Sequence, residues 1–200
     1  MIEVKCRLCR RFTLAPFEER LVRDWNVVIT VFQDGYRRAL RALRELGPVE
    51  RSPYHNVLVM TAADPPALLA AVEARTEQIP ALYDAISRVA PAQRSVDFQS
   101  AEEFIDRARS VVREWAPALA GRGFHVRLHP RGMVHAFGTQ EAERLLDDAV
   151  LEAAGAAGQP ARIAFTDPDA VIAVDTIDGR AGLAMWTRED LARHRLLRPD

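Results

Sequence analysis

The sequence predicts an α/β (α+β) protein made of two consecutive units. Three observations predict it: short β-branched runs alternate with helix-period segments, Gly and Pro punctuate most changes of period, and a helix-start signature at Ser100 begins the cycle a second time. With 200 residues, 48% apolar and 28% charged, the chain can bury well over half of its unfolded surface and sits within globular averages. We expect an extension over 1–24, a first unit over 25–98, a second over 99–187 and a C-terminal tail over 188–200, each unit having its own strands, amphipathic helix and terminators.

Residues 26–33, Asn-Val-Val-Ile-Thr-Val-Phe-Gln, are too short and too β-branched for a helix and precede Asp34-Gly35, so they read as a buried strand. Tyr36, Ala39, Leu40, Leu43 and Leu46 then recur at helical spacing until Gly47-Pro48 stops the pattern. Val57–Met60 is a second buried strand, and Asp64-Pro65 opens a helix with Leu68, Leu69, Val72 and Ile79 on one stripe. Residues 86–97 are expected as one edge strand, because Pro91 is not tolerated in a central one.

The second unit starts at Ser100 with Glu103, a capping-box pair, and Phe104, Ala108, Val111, Val112 and Trp115 form a helix face ended by Pro117 and Gly121. Phe124, Val126 and Leu128 alternate with His125, Arg127 and His129, the period of a strand with one face in a core and one in water. A helix runs from Gln140 to about Ala154, opened by Thr139 with Glu143 nearby. Ile163 and Phe165 make a short strand, Asp167-Pro168-Asp169 a structural turn, Val171 to Ile177 a strand, Asp178-Gly179 a hairpin and Gly182 to Trp186 its partner. One short helix is expected after Thr187.

Net charge is -1, yet residues 1–51 carry 11 basic against 7 acidic side chains, so only the first quarter is basic. All basic residues but Lys5 are arginine, whose planar fork suits phosphate. No apolar run reaches the roughly 18 residues of a membrane span, and two cysteines, Cys6 and Cys9, are too few for a disulfide framework, so a cytoplasmic protein is expected.

Arg127, His129 and Arg131, the last followed by Gly132, are expected on one line about 6 to 7 Å apart, close to the phosphate spacing of a nucleic-acid strand. The simpler reading of such a row is a solvated strand face. Arg37, Arg38, Arg41 and Arg44 form a second basic row on the first helix, and both rows are expected to face one side. His125 and His129 cannot share a metal ion, being about 13 Å apart along a strand. Cys6 and Cys9 have the spacing of half a zinc site but no second pair to complete it, and two inert thiols are the simpler reading.

A phosphate-binding loop of the Gly-x-x-x-x-Gly-Lys type is excluded, because the only lysine is Lys5. Gly121-Arg-Gly123 precedes a strand instead of following one, and neither Gly-x-Ser-x-Gly nor His-Glu-x-x-His occurs. No catalytic constellation and no cofactor follow from these patterns.

Phe124-His-Val-Arg-Leu-His-Pro-Arg-Gly132, then Thr139 to Glu143 leading a helix, then Arg162 to Val174 with its Asp167-Pro168-Asp169 turn, resembles the THUMP domain of RNA-modifying systems. The preceding unit looks like the ferredoxin-like domain that commonly accompanies it, and the pair resembles the stand-alone adaptor class of that family. The resemblance implies a non-catalytic protein that binds the acceptor and CCA end of tRNA and presents it to a separate modifying enzyme, such as an N4-cytidine acetyltransferase. Its implied RNA contacts are Arg127, His129, Arg131 and Gly132, joined by Arg37, Arg38, Arg41 and Arg44. Two other readings stand beside it: a ferredoxin-like protein-interaction or ligand-sensing module without RNA binding, which Pro130 and the acidic balance permit, and a metal or thiol enzyme using Cys6 and Cys9.

Overall fold

Between Pro91 and Arg94 the chain passes from one β-sheet into another. The computed structural model describes residues 24–132 and 138–198. The first sheet is built by β1 (Val27–Val31), α1 (Tyr36–Arg44), β2 (Val49–Arg51), β3 (Val57–Met60), α2 (Pro65–Gln78), the short α3 (Pro80–Tyr83) and β4 (Ile86–Pro91). Its strands are antiparallel in the order β2-β3-β1-β4, the βαββαβ arrangement of a ferredoxin-like unit. β2 was not expected, because Val-Glu-Arg is too short to show a period.

Asp64 starts α2 by accepting the Ala67 N–H at 3.0 Å, with Pro65 at the first helical position where its missing N–H costs nothing. Pro80 ends that helix two residues after Gln78, which leaves Ile79 outside it and exposed instead of on the apolar stripe. Val27, Ile29 and Val31 face α1 and α2 through Leu40, Leu43, Leu69 and Val72. Val28, Val57 and Val59, on the opposite face, pack against Trp25 and against Ile177 of the second sheet.

The single strand expected over 86–97 is broken. Ala92 N–H still donates to Asn26 O at 2.8 Å, but Gln93 N–H already donates to Leu183 O at 2.9 Å, and β5 (Arg94–Asp97) pairs with β9. The sheets therefore divide near residue 92, ahead of the 98/99 boundary read from the helix signature. The second sheet comprises β5, α4 (Ala101–Trp115), β6 (Gly123–His129), α5 (Thr139–Ala156), β7 (Arg162–Ile163), β8 (Ala170–Ile177) and β9 (Arg180–Thr187), in strand order β5-β9-β8-β6-β7. Ser100 Oγ accepts the Glu103 N–H at 3.2 Å, while the Glu103 carboxylate reaches back to the Gln99 N–H at 2.7 Å. Phe124, Val126 and Leu128 meet Phe104, Val112, Leu146 and Val150 of α4 and α5 in the larger core.

The tail is part of the fold. Thr187 and Asp190 cap α6 (Arg188–Arg193) reciprocally, and Leu196 and Leu197 are buried in the first unit's core together with Trp186. Val89 N–H donates to Leu196 O at 2.9 Å and Leu196 N–H to Glu73 at 3.0 Å, so this segment straps β4 to α2. Among the described residues no helix is long and apolar enough to cross a membrane.

Candidate nucleic-acid interface

β6 pairs with β8 from Phe124 to His129 but with β7 only at Gly123 and Phe124. Past that point its outward amides meet side chains: Val126 N–H donates to Asp147 Oδ1 at 2.9 Å and Leu128 N–H to Glu143 Oε1 at 2.8 Å, from two carboxylates one turn apart on α5. Burial drives the Asp147 carboxyl up to about 7, against the lowering effect of the Val126 amide.

On the other face of β6, His125 and the three residues of the expected row differ in setting. His125 is 2% exposed instead of solvated, its Nδ1–H donating to Ala164 O at 2.9 Å. Arg127 keeps 40% of its side chain exposed, 4.0 Å from Glu143. His129 is half-buried beside Asp175, its register partner on β8. Arg131, expected with them on an exposed face, has only 16% of its side chain exposed and is bound to Asp175 at 3.0 Å.

The cause is Asp175, on the outer face of β8 and covered by the first unit. Arg88 of β4 grips it through two hydrogen bonds of 2.8 and 2.7 Å. Burial alone would raise this carboxyl, but Arg88, with His129 and Arg131, holds it near 2. Next to this pair, Tyr54 of the first unit donates to Asp178 Oδ1 at 2.5 Å, and burial followed by that bond pushes the phenol to about 12. Gly132 fits between them: its φ is +92°, and a Cβ there would lie 2.8 Å from Tyr54 Oη and 2.9 Å from Asp178 Cα.

Arg37, Arg38, Arg41 and Arg44 are exposed on α1, with Arg38 donating to Ala81 O at 2.6 Å. α1 packs on the face of the first sheet that carries Val27, Ile29 and Val31, while Ile177 of the second sheet packs on the opposite face with Val28, Val57 and Val59. The Asp167-Pro168-Asp169 turn has its amide-binding carboxylate at Asp169, not Asp167. Asp169 accepts the Gly123 N–H at 2.7 Å and Arg188 at 3.0 Å, and the Gly123 amide first, then Arg188 and Arg162, keep it below the usual carboxylate range. Asp167, at φ +52°, meets Arg188 at 3.3 Å.

Among the described residues no cluster of three or more His, Cys, Asp or Glu could hold a metal ion. Cys6 and Cys9 lie outside the described residues. Sequence reasoning missed Arg88, Tyr54 and Asp175. The signal for Asp175 was present, a lone charge in the apolar run Ala170–Ile177.

No protein-family model and no curated protein matches the sequence. Solved structures do share its fold. TrmN from Thermus thermophilus aligns over 80% of this chain and 44% of its own length, at 18% identity and a TM-score of 0.54. PH1313 from Pyrococcus horikoshii Ot3 aligns over 80% and 53%, at 15% identity and a TM-score of 0.54. A possible methylase from Clostridium difficile 630 aligns over 84% and 42%, at 12% identity and a TM-score of 0.51.

The fold is thus α/β and shared with these proteins, and the chain spans about half of their length or less. This corrects two expectations, the non-catalytic adaptor and the absence of enzymatic function. The fold is carried inside larger chains, one of them described as a methylase. None of these three comparisons supports an acetyltransferase partner.

Proposed function

We propose that this chain is the RNA-engaging part of an RNA-modifying enzyme of the methyltransferase kind, and that structured RNA of the tRNA class is its polyanionic substrate. One observation carries the reading: the basic row Arg127 and His129, backed by Arg131, lies on the part of the second sheet's outer face next to the Arg88–Asp175 pair, in a fold shared over 80% of the chain with TrmN and PH1313. A phosphate approaching β6 meets Arg127 first. Its side chain is 40% exposed and 4.0 Å from Glu143, a distance at which a surface ion pair is worth about 0 to 1 kcal/mol. His129 stands two residues along the same face, roughly 6 to 7 Å away.

Recognition of this kind draws on phosphate contacts and counterion release, so its affinity depends steeply on salt. The test is filter binding of total tRNA at several salt concentrations by the wild type and Arg127→Ala. We expect the variant to bind more weakly to every tRNA and its salt slope to fall by about one unit. Absence of tRNA binding by the wild type at low salt, or identical slopes for both proteins, overturns the reading.

A further inference from the structure

Phe165 is 72% exposed, the most exposed of the large apolar side chains among the described residues. Single exposed apolar residues are ordinary, but this one is held in place. Ala164 N–H donates to Phe124 O at 2.8 Å and Ala164 O accepts from His125 at 2.9 Å, which fixes the backbone just before the ring to β6 on both sides. Two residues later Arg188 clamps the Asp167 carbonyl at 2.9 Å and the Asp167 carboxylate at 3.3 Å. Phe165 and Thr166 therefore span a short gap between two anchored points.

The ring leans over the buried imidazole of His125, with centroids 5.5 Å apart and planes at 38°. Its exposed face looks outward at the head of the row that continues with Arg127. Such a pre-set aromatic face gives up its own burial and can stack on a planar ligand with little loss of side-chain freedom.

We infer that Phe165 is a stacking platform for an unpaired nucleobase, placed so that a phosphate of the same strand reaches Arg127. This rests on the RNA-engaging reading above and deepens it: the strand is single-stranded where it crosses the edge of β6. Base–aromatic stacking tolerates any sequence, because every base has a π face. The site therefore selects for unpaired nucleotides and is indifferent to their identity.

The test uses fluorescence anisotropy with a dye-labelled single-stranded hexaribonucleotide and a blunt RNA duplex, read for wild type, Phe165→Ala, Phe165→Leu and Phe165→Tyr, with thermal midpoints alongside. We expect alanine and leucine to weaken single-strand binding roughly tenfold and tyrosine to retain it. Duplex affinity, salt slope and thermal midpoint stay as in the wild type, since the ring is exposed and carries no charge. Leucine matching the wild type while alanine does not marks an apolar contact, as for a protein partner, and overturns the platform. All three variants matching a wild type that binds RNA also overturns the platform and leaves the RNA reading intact. A wild type that binds neither probe overturns both.

Discussion

Replacing Asp175 by asparagine removes one negative charge from a site where two guanidiniums converge. The Asp175 side chain is 5% exposed and takes Arg88 at 2.8 and 2.7 Å and Arg131 at 3.0 Å. A carboxyl held near 2 in the folded protein and ionising higher when unfolded contributes on the order of 3 kcal/mol at pH 7, and breaking a buried pair by removing one partner costs about 3 to 5 kcal/mol. Taking about 3 kcal/mol, and about 2 to 4 °C per kcal/mol for a chain of this size, the thermal midpoint should fall by about 6 to 12 °C.

Because the folded value is depressed, the contribution is complete above the unfolded value and lost as pH falls through about 2. Circular-dichroism melts should show the full gap at pH 7 and a narrowing gap from about pH 4 downward. The double variant Arg88→Met with Asp175→Leu should recover much of the loss, since an apolar pair of similar volume replaces a buried ion pair at little cost. A midpoint for Asp175→Asn within about 2 °C of the wild type at pH 7 would refute the reasoning.

Three further outcomes are expected. Leu196→Ala should cost about 3 kcal/mol in a thermal melt, because Leu196 is fully buried against the first unit; a neutral result denies that the strap belongs to the core. Asp147 has a raised folded value, so its stabilising influence is present at low pH and lost as pH rises through about 7. Wild-type melting should therefore move upward between pH 8 and pH 5 by a margin that Asp147→Asn lacks, and parallel curves for the two proteins would contradict this. Gly132→Ala should destabilise by about 1 to 3 kcal/mol, since its φ of +92° and the backbone of Asp178 at 2.9 Å leave no room for a Cβ; an unchanged midpoint would show that the Tyr54 contact is loose.

Local chemistry was the legible part of this chain. Asp64 and Ser100 cap helices as their spacing predicts, and Phe124, Val126 and Leu128 enter the core by strict alternation. Relations between distant segments were not legible. Alternation places His125 opposite Phe124 and Val126 but cannot say that the segment around Ala164 and Phe165 folds over it. The amphipathic pattern of α1 shows which side of that helix is wet, but which side of the first sheet the helix covers depends on how the two sheets dock. That docking is fixed by Arg88 to Asp175 and Tyr54 to Asp178, pairs separated by 87 and 124 residues. The break at Ala92–Gln93 escaped for the same reason, as nothing local distinguishes a strand that continues from one that changes sheet.

The same long-range pairs decide what the basic row can do. Arg131 cannot turn toward a phosphate without weakening the hold on a buried carboxylate, so its charge adds to the local field while its guanidinium stays bound to Asp175. Arg127 keeps 40% of its side chain exposed and stands 4.0 Å from Glu143, which also accepts the Leu128 amide. Glu143 and Asp147 also close a strand edge whose open amides would otherwise invite another strand. The edge is therefore sealed by side chains on α5 while the outer face beside it keeps an exposed guanidinium and an exposed ring. A face built this way can take a flexible polyanion with planar bases, and the first unit contributes by burying Asp175 and so setting which of the basic residues reaches solvent.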